Sequence, residues 1–164
     1  MKALVAGVGN VFLGDDGFGP AVIRRLHGRS FPPGTRVEDF GIRGIHLAYE
    51  LLEPLDLLVI VDAVGRGDKP GALFLIEAET ATGLAVGAGD PHGMDLSAVF
   101  ALVRGMGGTM PQTYVVGCQP EDLSERMGLS PKVAAAVDRA ADWVEEIVWQ
   151  KARRATGVAG QMEK

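Results

Sequence analysis

Short apolar runs alternate along the chain with segments in which apolar residues recur at helical spacing. Five runs are short enough to be buried strands, and they lie at 3–6, 36–40, 57–61, 72–76 and 113–116. Segments with a period of three to four residues predict helices, at 18–26, 45–52, 96–106 and from residue 131 onward. Because helices alternate with strands, we predict an α/β three-layer sandwich. Its core is a twisted, mainly parallel, five-stranded sheet with helices on both faces.

The same pattern predicts one domain. The apolar stripe of the last helix continues to Val148, and neither a linker nor an internal repeat interrupts the chain before it. A length of 164 residues suits a single domain of roughly 100–200 residues. The last residues contain Gly, Lys and Arg but few large apolar side chains. We therefore predict a single α/β domain over residues 1–150 and a flexible C-terminal tail over residues 151–164.

Composition and charge exclude several classes of partner. The chain has 16 Lys and Arg residues against 21 Asp and Glu residues, a formal net charge of −5, and no basic cluster suited to nucleic acid. The single cysteine, Cys118, excludes an internal disulfide framework and a multi-thiolate metal site, and we interpret it as a small core residue. No apolar run approaches the roughly 18 residues of a membrane span. We expect a cytoplasmic protein that binds neither nucleic acid nor membrane.

Two acidic segments lie at the predicted carboxyl ends of strands, which is where open α/β sheets bind their ligands. Asp15 and Asp16 lie between the first strand and the first helix, and Asp62 ends the most apolar strand. A carboxylate that directly follows a buried strand must be hydrated, paired or metal-bound, because burying an unpaired carboxylate is costly. The structural alternative makes Asp15 or Asp16 a helix cap and Asp62 a turn residue.

One of the three histidines, His92, lies in a segment without helical or strand periodicity, GAGDPHGMD. His27 falls at the end of the first predicted helix, where a cation is favoured, and His46 starts a short helix. If three loops open at one edge of the sheet, Asp16, Asp62 and His92 converge there. Two carboxylates and an imidazole form a metal site with open positions, suited to a borderline metal such as nickel or zinc.

The opening GVGN permits a nucleotide-binding alternative. Asp39 ends the second predicted strand, where an acid that binds a ribose would lie. However, Phe12 replaces the third glycine of G-x-G-x-x-G. Asp15 and Asp16 in the same loop would also repel a pyrophosphate. Nucleotide binding is therefore the less favoured interpretation.

Four segments carry a further signal: MKALVAGVGNVFLGDDGFGP, VIVDAV, PHGMD and GCQPEDL with the following GLSPKV. Together they resemble the hydrogenase maturation endopeptidases, which trim the C-terminus of the nickel-containing large subunit of nickel–iron hydrogenases. The resemblance runs from Met1 to about Val148. It implies a sandwich of helices around a twisted, mainly parallel sheet, in agreement with the pattern above.

The resemblance also implies the site and the reaction. It assigns the three metal-binding and catalytic positions to Asp16, Asp62 and His92. Nickel already inserted into the large-subunit precursor would be recognised there, so the substrate supplies the metal, and zinc or cadmium can substitute for it. The metal would polarise the scissile carbonyl or activate water, with Asp16 or Asp62 as general base. This predicts a metal-dependent endopeptidase; the alternative is a non-catalytic nickel-sensing or chaperone module that only binds the precursor.

One segment departs from the family pattern. After the second strand the family often has an Asp-Gly-Gly-Thr-type stretch, whereas this chain reads DFGIRGIHL. Phe40 and Ile42 thus replace small or polar residues in a loop expected near the substrate cleft. Arg43 in the same loop offers a bidentate contact to a carboxylate of the substrate tail.

Overall fold

A computed structural model describes residues 1–78 and 96–157 of the chain. Within these residues the strands are β1 (Ala3–Val8), β2 (Thr35–Gly41), β3 (Leu57–Ala63), β4 (Leu73–Ala78) and β5 (Gln112–Cys118). The helices are α1 (Phe18–Leu26), α2 (Gly44–Glu50), α3 (Leu96–Gly105), α4 (Pro131–Ala134) and α5 (Val137–Ala155). A 3₁₀ turn, Gly14–Gly17, leads into α1. The predicted strands and helices are confirmed, and their ends shift by only a few residues.

The strands form one sheet in the order β2-β1-β3-β5-β4. β1 pairs in parallel with β2 and β3, and β3 pairs in parallel with β5, whereas β4 runs antiparallel to β5 at one edge. The prediction of a mainly parallel five-stranded sheet is therefore confirmed. Because β1, β2, β3 and β5 share one direction, their carboxyl ends lie at the same edge of the sheet, which we call the carboxyl edge.

Helices cover both faces of the sheet and make three layers. Alternate residues of the central strands face opposite layers: Val5 and Val59 belong to the core formed with α1, α4 and α5. Leu4 and Leu58 belong to the core formed with α2 and α3. Both faces of β1 and β3 are thus buried, which explains why these strands are continuous apolar runs rather than alternating ones.

The final helical region begins at Pro131, as predicted, but it consists of two helices. α4 ends at Ala134, and the longer α5 continues to Ala155, beyond the domain boundary predicted at residue 150. Lys, Ala and Arg in this last stretch are strong helix formers, and the Lys151 ammonium lies 5.2 Å from the centre of the Tyr114 ring. Among residues 1–78 and 96–157, no helix is both long and apolar enough to span a membrane.

Candidate active site

Asp62 lies at the carboxyl edge, near the end of the central strand β3. Its side chain is 4% exposed, and its backbone lies opposite Gly117 of β5. The start of α1 packs against this edge, because a Cβ on Gly19 would overlap the carbonyl oxygens of Val8 and Val61. Asp62 is therefore a strand residue enclosed by its neighbours, and the alternative that it is an ordinary turn residue is wrong.

Asp16 reaches the same edge from the loop after β1. It lies in the 3₁₀ turn, which contacts β3, and it is 8% exposed. The backbone amide of Asn10 donates a hydrogen bond of 2.7 Å to Asp16 Oδ2. Gly9 has a φ of +136°, and a Cβ there would overlap the Asp16 carbonyl oxygen. The loop therefore folds back on itself, and only glycine at position 9 permits this close approach.

The carboxylates of Asp16 and Asp62 interact at the carboxyl edge. Burial, and then the negative charge of Asp16, raise the pKa of Asp62 well above its usual range, although a hydrogen bond from the Ala63 amide opposes the shift. Two acids that lie far apart along the chain are thus brought together, as the sequence predicted.

His92, the third predicted ligand, lies outside the described residues, and its place in the site stays a prediction. Within the described part of the chain, no group of three or more His, Cys, Asp or Glu residues is arranged to hold a metal ion.

Asp15, the neighbour of Asp16, has a different role. Its carboxylate is fully buried and accepts hydrogen bonds from the amides of Glu121, Asp122 and Ser130 and from the Ser130 hydroxyl, at 2.7–2.9 Å. Burial raises the pKa of Asp15, but these donors outweigh it and hold the pKa below its usual value. The interpretation of Asp15 as a cap of α1 is wrong, because its carboxylate binds the segment that follows β5.

Comparison with known proteins identifies the family. Residues 20–147 match the model of a family described as hydrogenase maturation protease. The chain belongs to the hydrogenase maturation protease family. A relative, the hydrogenase 2 maturation protease of Escherichia coli strain K12, is 31% identical over 146 residues, which cover 88% of each protein. The protein is thus a protease, and therefore a hydrolase.

Solved structures of family members share the fold. The hydrogenase maturating endopeptidase HybD from E. coli is 30% identical, with a TM-score of 0.79 over 96% of this chain and 94% of that one. The hydrogenase 2 maturation peptidase from Thaumarchaeota archaeon SCGC_AB-539-E09 is 31% identical, with a TM-score of 0.68 over 90% of this chain and 97% of that one. The α/β sandwich derived from the hydrophobic pattern is thus the fold of the maturation proteases.

The loop that departs from the usual family pattern is held by its own side chains. Arg43 donates hydrogen bonds to the carbonyl oxygens of Asp39, at 2.6 Å, and Phe40, at 3.3 Å. Asp39 accepts a hydrogen bond of 2.8 Å from the Gly41 amide, so it closes the turn at the end of β2. Phe40 is buried, whereas Ile42 is 54% exposed. The binding of a substrate carboxylate by Arg43 stays a prediction, and it would compete with these two carbonyl groups.

The other sequence interpretations concern residues outside the acidic pair. His27 follows the last residue of α1, where its amide bonds to Ile23, and this confirms its place at the helix end. His46 is exposed on α2 and packs edge-on against the Phe40 ring, with 6.3 Å between ring centres. Cys118 is buried in the core, as predicted. Asn10, whose backbone amide holds Asp16, could not be assigned this role from the sequence, where it is visible only as the last residue of GVGN.

Proposed function

We propose that this protease removes the C-terminal extension of the large-subunit precursor of a nickel–iron hydrogenase after nickel insertion. The observation that carries this proposal is the meeting of Asp16 and Asp62 at the carboxyl edge of a hydrogenase maturation protease fold. Asp16, Asp62 and His92 are the proposed nickel-binding and catalytic residues. A metal bound by so few protein side chains keeps open positions, which ligands from the precursor would fill.

The acidic pair fits a divalent cation. Asp62 is buried beside a second carboxylate, and its raised pKa shows that its ionised form is unfavourable there. A cation between the two groups would offset both the burial and the repulsion. Carboxylate oxygens with one imidazole suit nickel, and zinc or cadmium would bind the same groups. Because the precursor brings the nickel, a precursor without nickel lacks this binding energy and would be left uncut.

The chain's own residues supply the proton transfers. Nickel, when the precursor brings it, supplies a Lewis acid that polarises the scissile carbonyl or activates water. One of the two carboxylates, Asp16 or Asp62, would accept a proton from the attacking water. The hydrogen bond from the Asn10 amide fixes Asp16 Oδ2, which orients the second carboxylate. The enclosed strand end around Asp62 limits the water that reaches the pair.

The test is a processing assay with purified, nickel-loaded large-subunit precursor and mass spectrometry of the product. The wild-type protein should release a tail peptide, and Asp16→Ala, Asp62→Ala and His92→Ala should each abolish its release. Asp138→Ala is the matched control, because Asp138 is an exposed acid on α5 that pairs with Arg25 on the far end of α1 from the acidic pair. Full processing by all three site variants would refute the site. Precursor binding without release of a peptide would instead support the chaperone alternative.

A further inference from the structure

Residues 119–130, which follow β5, contact both the turn that carries Asp16 and the loop that follows Asp62 and β3. They include the QPEDL part of the GCQPEDL motif. We propose that Asp15 and Gln119 are positioning residues that use this segment, the post-β5 segment, to fix Asp16 and Asp62 relative to each other. The proposal rests on the proposed function, in which Asp16 and Asp62 act together on one substrate. In this proposal, Asp15 and Gln119 act through Asp16 and Asp62 and not through contact with the substrate or the metal.

The first half of the arrangement joins the post-β5 segment to the loop that carries Asp16. The Asp15 carboxylate accepts all four of the hydrogen bonds described above, and the Asp15 amide donates to the Asp122 carbonyl at 2.8 Å. Two more backbone bonds flank this contact: Gly14 to the Arg126 carbonyl at 2.8 Å, and Arg126 to the Phe12 carbonyl at 3.0 Å. The residue that precedes Asp16 is therefore held at both its backbone and its side chain.

The second half joins the same segment to the loop that follows Asp62. Gln119 Oε1 accepts hydrogen bonds from the amides of Arg66, at 2.7 Å, and Asp68, at 3.3 Å. The Gln119 backbone also bonds to both Gly71 and Ala72, each at 2.9 Å. The loop between β3 and β4 is therefore tied at two places to the residue that directly follows β5.

The two halves meet within a few residues of one another. Only one residue separates Gln119 from Glu121. The amides that donate to Asp15 and the Gln119 oxygen that binds the loop after β3 therefore belong to one short stretch of chain. The segment therefore links the turn that carries Asp16 to the residues that leave β3 after Asp62. Because a misplacement of about 1 Å at a reacting centre can cost on the order of 100-fold in rate, the segment has a kinetic as well as a structural role.

Gln119 allows a sharp test, because one conservative variant retains its key acceptor. Gln119→Leu removes the oxygen that binds the Arg66 and Asp68 amides. Gln119→Glu keeps an oxygen at that place, although it replaces the donor that reaches the Pro120 carbonyl at 3.4 Å with a second oxygen and adds a negative charge. In the processing assay, Gln119→Leu should lower kcat about tenfold or more and leave KM within about twofold, whereas Gln119→Glu should stay within about threefold of wild type in both.

Asp15 gives an independent variant on the other half. Asp15→Asn replaces one carboxylate oxygen with an amide that cannot accept a hydrogen bond, while the volume is unchanged. We expect a fall in kcat at unchanged KM, measured at a temperature well below the Tm of the variant. Ser130→Ala removes only the hydroxyl donor of the four and should lower kcat by less than Asp15→Asn does.

Each outcome decides the proposal. It is overturned if Gln119→Leu processes at the wild-type rate, if Gln119→Glu is as impaired as Gln119→Leu, or if the loss appears in KM alone. Asp16→Ala and Asp62→Ala in the same assay separate this failure from that of the proposed function. If they are inactive while Gln119→Leu is normal, only the positioning role falls; if they process normally, both proposals fall.

Discussion

Two buried acids of this protein, Asp15 and Asp62, have different environments, and those environments decide their chemistry. Asp15 has a donor for each carboxylate oxygen, so it stays ionised although it is fully buried. Asp62 is buried to a similar extent, but burial and the Asp16 charge raise its pKa. A buried acid that is satisfied by backbone amides serves the structure, and a buried acid beside another acid is a candidate for catalysis or metal binding.

Cys118 provides a prediction at the scale of a single residue. Burial, and then the negative charge of Asp15, raise the pKa of its thiol to about 12. A raised pKa keeps the thiol protonated at pH 8, and the protonated form is a poor nucleophile. Iodoacetamide should therefore leave the native protein unlabelled over an hour and label it stoichiometrically in urea, as measured by mass spectrometry. Fast labelling of the native protein would contradict the buried, protonated thiol.

At the scale of elements, the site depends on how closely α1 approaches the sheet. Gly7, Gly9 and Gly19 all lie where backbones meet, and a Cβ at any of them would overlap neighbouring atoms. In the case of Gly19, those atoms are the carbonyl oxygens of the two strands that lead to Asp16 and Asp62. The distance between helix and strands therefore sets the shape of the carboxyl edge.

Gly19→Ala should be destabilising, although alanine normally favours a helix. The added Cβ would overlap Val8 and Val61, so α1 must move, and we expect a loss of about 2 kcal/mol or more in the free energy of unfolding. Urea denaturation measures this loss. Gly28→Ala is the matched control, because nothing lies within 4 Å of its Cβ, and it should be neutral or stabilising by up to about 1 kcal/mol. Equal effects of the two substitutions would show that the contact is not tight.

The contact between β2 and α2 leads to a prediction about pH. Arg36 bonds to Glu50 at 2.7 Å, and this hydrogen bond lowers the pKa of Glu50. A lowered pKa means that the pair stabilises the fold at neutral pH and that its contribution disappears as the pH falls through the folded-state pKa. Glu50→Gln should therefore lower the Tm slightly at pH 7, which corresponds to a loss of no more than about 1 kcal/mol in the free energy of unfolding for a partly exposed pair, and should lower it less at pH 3. An equal loss of Tm at both pH values would exclude the ion pair as the cause.

At the scale of the whole molecule, the architecture could be predicted from the sequence because it depends on local patterns. Helix α1 has the predicted limits, since its apolar period and the early Pro20 are both visible in the chain. The convergence of Asp16 and Asp62 followed from the shared direction of parallel strands. The end of α5 was missed, because its last turns carry helix formers without an apolar stripe.

The side-chain hydrogen bonds that join distant parts of the chain could not be predicted. Asp15 and Ser130 are 115 positions apart, and no local pattern distinguishes a carboxylate that binds backbone amides from one that faces a substrate. Gln119 is similar, because its partners belong to a loop more than 50 positions earlier. Such contacts exist only after the sheet has assembled, and they therefore appear only in the three-dimensional structure.

The position of β3 has a consequence for heat inactivation. All seven of its residues are buried, and it lies between β1 and β5 with helices on both faces. Its amides should therefore exchange with deuterium only through global opening, at the slowest rates in the molecule. Because Asp62 belongs to this strand, no partial melting can displace it while the rest of the sheet stays intact. On heating, Asp62 should therefore keep its place until the sheet unfolds cooperatively.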